Sequence, residues 1–146
     1  MSRPDDPALH QLLADQAVGT LAALKRDGRP QLSNVSYAYD FENTGERTIL
    51  ISITDGRAKT QNLRRDARAS LLANAQGGWS YAVAEGDVEL SPVAAAPADA
   101  TADELVEVYR RIGGEHPDWQ EYREAMVADR RLVLRLRVSR VYGLVR

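Results

Sequence analysis

The stretch Ala17-Val18-Gly19-Thr20-Leu21-Ala22-Ala23-Leu24-Lys25-Arg26-Asp27-Gly28-Arg29-Pro30-Gln31-Leu32-Ser33-Asn34-Val35-Ser36-Tyr37-Ala38-Tyr39 reads as two strands folded back on each other. Ala17 to Lys25 is a run of small and β-branched residues. It ends at Asp27-Gly28, a pair suited to the positive φ angles of a tight hairpin turn. Gln31 to Tyr39 makes the return strand.

The same grammar continues outward. Asn43-Thr44-Gly45 marks a turn, and Thr48 to Ile53 a strand with Ile49, Ile51 and Ile53 on one face and Leu50 and Ser52 on the other. A helix is expected from about Ala58 to Arg65, then a strand from Ala67 to about Asn74. Gln76-Gly77-Gly78 turns the chain into a long strand from Tyr81 to Leu90. Ser91 to Ala100 reads as an Ala/Pro-rich surface connector. Thr101-Ala102-Asp103-Glu104 has the form of a capping box opening a helix with Leu105, Val108 and Ile112 on its apolar face. Gly113-Gly114 stops that helix, and Pro117 opens another to about Asp129 with Trp119, Tyr122 and Met126 at helical spacing. Leu132, Leu134, Leu136 and Val138 alternate in a final strand that Val141 to Val145 extends. Upstream, Asp6-Pro7 caps a short helix through Gln16 with Leu9, Leu12 and Leu13 on one face. About six strands joined mostly by hairpin-length turns imply a mainly β, α+β fold. The residues fit an antiparallel barrel or sandwich with peripheral helices, in a single domain spanning 1–146.

Bulk properties narrow the function. Nineteen basic against 21 acidic side chains leave no global field to attract nucleic acid or an anionic membrane. The chain has no Cys, so thiolate chemistry and Cys-based metal sites are excluded. The opening residues carry no apolar signal segment, and no run reaches the roughly 20 apolar residues of a membrane helix. A cytoplasmic location is expected.

Chemistry concentrates in Ser52-Ile53-Thr54-Asp55-Gly56-Arg57-Ala58-Lys59-Thr60-Gln61-Asn62-Leu63. A helix N-terminus already carries about half a positive charge and several unpaired N–H groups. Arg57 and Lys59 therefore oppose the dipole unless an anion sits in front of the helix. Two readings stand side by side: a phosphate site built from these cations with Ser52, Thr54 and Thr60, or an end neutralised by Asp55. Elsewhere the usual catalytic groups are missing. His10 is expected at the surface, His116 at a helix entry, and no metal-ligating set is visible. Glu85, Asp87 and Glu89 read as a solvated strand face. Trp79, on a Gly-rich turn, has the character of a stacking residue. Gln31, Ser33 and Asn34 suit either the edge of a polar heterocycle or a solvated sheet face. An anion site without acid/base machinery is the pattern of a protein whose cofactor carries the chemistry.

Four collinear segments resemble a known family: Gly28–Val35, Arg57–Asp66, Trp79–Gly86, and Tyr109-Arg110-Arg111 with Gly114–Trp119. The chain resembles the actinobacterial, coenzyme F420-using branch of the pyridoxamine 5'-phosphate oxidase-like split β-barrel proteins. That resemblance implies a six-stranded antiparallel split barrel forming a homodimer, with cofactor sites at the subunit interface. It places Arg57, Lys59, Ser52 and Asn62 on the cofactor phosphate, and Gln31, Ser33 and Asn34 around the deazaflavin ring. Trp79 would come from the partner subunit. Arg64, Arg65 and Arg68 would meet the oligoglutamate tail. Flavin-using members commonly carry an Arg-x-Val/Met-Leu-Leu-Lys run where this chain has Leu32-Ser33-Asn34-Val35-Ser36-Tyr37, without a cation.

The expected activity is hydride transfer between F420 and a small conjugated substrate, with no catalytic side chain and any proton coming from solvent, Tyr37 or Tyr81. The alternatives are an FMN-dependent oxidase or reductase, a non-catalytic F420 carrier, and a structural dimer without ligand.

Overall fold

A computed structural model describes residues 6–41 and 46–146. The turn expected at Asn43-Thr44-Gly45 lies outside the described residues.

The elements run α1 (Pro7–Asp15), β1 (Val18–Leu24), β2 (Pro30–Ser36), β3 (Ala38–Asp40), β4 (Thr48–Thr54), α2 (Ala58–Arg65), β5 (Arg68–Asn74), β6 (Tyr81–Leu90), α3 (Ala100–Gly113), α4 (Trp119–Ala128) and β7 (Arg131–Leu144). All strands belong to one antiparallel sheet in the order β2-β1-β5-β6-β7-β4-β3.

Among the described residues the sheet has seven strands, not the expected six. The difference arises at Tyr37, which separates β2 from β3. Its ring is buried and its hydroxyl donates to the Leu13 carbonyl of α1. That inward anchor breaks the run expected from Gln31 to Tyr39, and β3 pairs with β4 at the far end of the sheet instead. Conversely, the last two segments form one strand, β7, which spans the whole of β6 across a bulge at Glu85/Gly86. Gly86 is required there, because a Cβ would stand 1.8 Å from the Arg137 carbonyl oxygen.

The sheet curls into a half-barrel. One edge strand, β2, comes back to line the same cleft as β4, which stands sixth in the strand order. Inside the curl, Leu21, Ile49, Ile51, Ile53, Leu71, Leu132, Leu134 and Leu136 pack with Leu9, Leu12 and Leu13 of α1. The expected alternation of β4 is therefore observed. Outside it, α3 and α4 pack Leu105, Val108, Tyr122 and Met126 against Val133, with Leu50 at the margin. Burying a large apolar side chain contributes about 1.5–3 kcal/mol. Two such clusters on opposite faces fix which way each strand faces.

Two local expectations are corrected. The cap of α3 is Asp99, whose carboxylate accepts from Ala102 N at 2.8 Å and also from Ala95 and Ala96. An ionised acceptor at a helix N-terminus outcompetes a hydroxyl, so Thr101 sits inside the helix and donates to the Pro92 carbonyl. The connector is also not simply at the surface. Ser91 and Ala94 are buried and bond to the backbone of Val133 and Arg131.

Candidate functional site

Between β4 and α2, Gly56 (φ 69°) turns the chain so that Arg57 takes the N-cap position and Lys59 falls in the first turn. Thr60, fully buried, fastens this turn by donating from Oγ1 to the Thr54 carbonyl at 2.7 Å. No side chain caps the helix, and its first turn holds no acidic residue.

Asp55 does not neutralise this end. Its carboxylate is taken by Arg64 at 2.6 Å and by Arg130 at 2.8 Å. Hydrogen bonds from Arg130, then Arg64, hold its pKa below the usual aspartate value. Arg130 itself has φ 54°, a conformation a non-glycine side chain rarely adopts, and its carbonyl accepts from Asp55 N at 2.9 Å. This tight turn out of α4 delivers Arg131 to the start of β7, opposite Thr54.

Arg57, Lys59 and Arg131 are thereby gathered without a counter-charge. Among the described residues none of the three has an ion-pair partner. Burial, then the like charges of Arg57 and Arg131, hold the Lys59 ammonium below the ordinary lysine value. Arg131 Nε is buried without a hydrogen-bond partner, and its Nη1 reaches the Ser52 carbonyl only at 3.4 Å. Lys59 and Arg131 are half-buried and Arg57 is exposed; like charges drawn together and partly desolvated favour an anion that joins them.

Lys59 and Arg131 line a cleft of about 480 Å³. Asn34 and Ser36 of β2 and Ser52 of β4 add an amide and two hydroxyls to it. Its opposite wall is apolar: Val108, Tyr109, Ile112, Tyr122 and Met126 from α3 and α4. Tyr122 is locked by donation from its hydroxyl to the Leu105 carbonyl at 2.9 Å, and burial pushes its pKa up to about 12. Tyr109 packs edge-on against Trp119, His116 and Tyr122.

Of the eight residues expected in a cofactor site, Asn34, Ser52 and Lys59 meet in this cleft; Arg57 does not line it, but its charge acts on Lys59. Gln31 and Asn62 line a neighbouring hollow and face each other, Asn62 Nδ2 donating to Gln31 Oε1 at 3.4 Å. Asn62 also accepts from Arg65, which donates to the Leu24 carbonyl, so this chain of bonds ties α2 to the β1–β2 hairpin. Ser33 lies on the opposite face of β2 from Asn34, with a buried, unpartnered hydroxyl. Trp79 is 74% exposed on the β5–β6 turn. That turn adjoins the end of β7 farthest from Arg131, so Trp79 does not reach the cleft of its own chain.

The cations expected to meet a cofactor tail are already engaged: Arg64 with Asp55, Arg65 with Asn62, and Arg68 with Asp66 at 2.8 Å. Tyr37 donates inward to Leu13, and burial raises its pKa, so it does not face the cleft. His10, expected at the surface, is only 2% exposed. Its ring lies between the Tyr39 hydroxyl at 2.8 Å and the Arg47 guanidinium at 3.1 Å. His116 accepts from Asp118 N at 2.9 Å at the entry to α4, as expected. Glu89 pairs with Arg135 and Arg137. No cluster that could hold a metal ion occurs among the described residues.

The strand order and this cleft define an antiparallel β half-barrel with a cation-lined cleft between the sheet and two helices. Residues 5–144 match the family model described as pyridoxamine 5'-phosphate oxidase, and the chain belongs to that family. Among solved structures it is similar to an F420 reductase, at 22% identity and a TM-score of 0.70, covering 94% of this chain and 98% of that one. It is also similar to a FAD-binding protein from Mesorhizobium loti, at 20% identity, TM-score 0.65, and 97% and 93% coverage. A heme-binding protein from Mycobacterium smegmatis matches at 23% identity and TM-score 0.60, over 93% of this chain and 52% of that one. These likenesses support the fold, which evidently serves several ligands.

Proposed function

We propose that this chain is an F420-dependent oxidoreductase whose cofactor phosphate is anchored by Lys59 and Arg57. The observation that carries the reading is the group of cations around the cleft with no anion to offset them. A phosphate is the group such an arrangement fits, since charge-assisted bonds to it are shorter and about twice as strong as neutral ones. The cleft's size and its split between polar and apolar walls also suit a planar heterocycle with an anionic tail.

When bound, the deazaflavin supplies a hydride to an electrophilic carbon of a conjugated acceptor. The chain's part is to bind and orient. Lys59 and Arg57 hold the anion; Asn34, Ser36 and Ser52 offer hydrogen bonds to a polar edge. Tyr109, Ile112 and Met126 exclude water from the opposite side. Among the described residues that line the cleft there is no carboxylate or histidine, and solvent is the proton source in this reading.

The site is completed in a homodimer. The outer face of β2, β1, β5 and β6 carries Leu32, Val18, Leu72 and Val83, while α3 and α4 cover β7 and β4 instead. Leu32 is 63% exposed. Pairing of two such faces would bury this apolar surface and bring Trp79 of one subunit toward the cleft of the other.

Reduced F420 mixed with a panel of enones and quinones tests the activity. Loss of the reduced cofactor with at least one acceptor is expected. Tight binding without turnover against the whole panel would indicate a carrier. A yellow flavin purifying with the protein at near one per subunit would indicate FMN.

A further inference from the structure

We propose that Arg131 is a ligand-binding residue, the third arm of an anion clamp with Lys59 and Arg57, and that the anion it takes carries at least two negative charges. The inference rests on the reading of the cleft as a phosphate site and extends it to a residue from a different part of the fold.

Three features place Arg131 in this role. It lines the cleft together with Lys59. Its Nε is buried with no partner, and its guanidinium has no carboxylate, although Arg130 beside it is fully engaged with Asp55. The Asp55–Arg130 pair and the positive φ of Arg130 hold the turn that sets Arg131 at the cleft. A protein that needed only to shield this end of β7 would exchange the roles of the two arginines or leave Arg131 in water. Lys59 and Arg131 line the cleft and the charge of Arg57 adds to the field at Lys59, more positive charge than a singly charged anion offsets. A terminal phosphate meets that need, as does a phosphodiester followed closely by carboxylates.

Isothermal titration with inorganic phosphate tests the clamp without assuming the rest of the ligand. Wild type is expected to bind phosphate, R131Q to bind it more than roughly tenfold more weakly, and R131K to recover part of the loss. Circular dichroism verifies that each variant is folded. Phosphate binding by R131Q equal to wild type would overturn the proposal, as would failure of wild type to bind phosphate. Parallel titration with F420, FMN and riboflavin separates the sources. R131Q weakening F420 or FMN but not riboflavin supports a contact to the phosphate. Equal weakening of all ligands would make Arg131 a packing residue and overturn the clamp. If K59Q loses phosphate binding while R131Q keeps it, the anchor reading of the cleft stands and only the role of Arg131 falls.

Discussion

The Asp55 carboxylate holds the Arg130 guanidinium at 2.8 Å, across 75 residues of sequence. Through this contact the turn that opens α2 and the turn that opens β7 become one structural unit, and the cations on both are set around a single cleft. It also engages Asp55, the acidic residue next to the N-terminus of α2 in the sequence.

Asp55→Asn is therefore expected to lower the unfolding midpoint in a pH-dependent way. The folded pKa of Asp55 is depressed, so its contribution is fully present above the unfolded value of about 3.9. It is lost as the pH falls through the folded value. Thermal melts from pH 7 to pH 2 should show the two proteins converging at the acid end. A constant gap at every pH would contradict the assignment.

Thr60→Val removes the bond that pins α2 to the end of β4. Because the Thr54 carbonyl is left without this partner inside the structure, a loss of about 1–2 kcal/mol in urea unfolding is expected. Ligand affinity should fall as well, since Lys59 is one residue away.

The pH dependence of cofactor binding follows from Lys59. Its pKa in the free protein is lowered, and an anion binds the protonated form. Affinity should be flat below that lowered value and fall as the pH rises through it, by up to tenfold per unit. Lys59→Gln should flatten the alkaline limb.

Leu32→Glu places a charge on the open outer face of β2. Light scattering is expected to show a dimer for wild type and a monomer for this variant, and F420 binding should weaken with it. A variant that stays dimeric would move the interface elsewhere.

Much of the fold was legible in the residues. Asp27-Gly28 marked the first hairpin, α2 and β6 followed from the Gly-containing turns before them, and the isoleucines of β4 identified its inner face. What local patterns could not supply was set by distant contacts. Tyr37 splits a strand because its hydroxyl reaches α1. His10 is buried because Tyr39 and Arg47 meet it from elsewhere in the chain. In the site, Lys59 was visible as a cation at the wrong end of a helix. Arg131 was hidden among the alternating arginines of β7, and only the pairing of Thr54 with Arg131 brings it to the cleft. Strand parity offered one signal: Arg131 shares the outer face with Arg135 and Arg137, but unlike them it has no glutamate partner.

The most direct measurement is titration of the apo protein with F420, followed by tryptophan fluorescence, for wild type, Lys59→Ala and Arg57→Ala. Quenching by F420 in the micromolar range is expected for wild type, about −8 kcal/mol. The Lys59→Ala variant should bind more than roughly tenfold more weakly, the loss of one charge-assisted contact. Affinity in both variants equal to wild type, or no quenching of wild type by F420, would contradict the anchoring of a cofactor phosphate in this cleft.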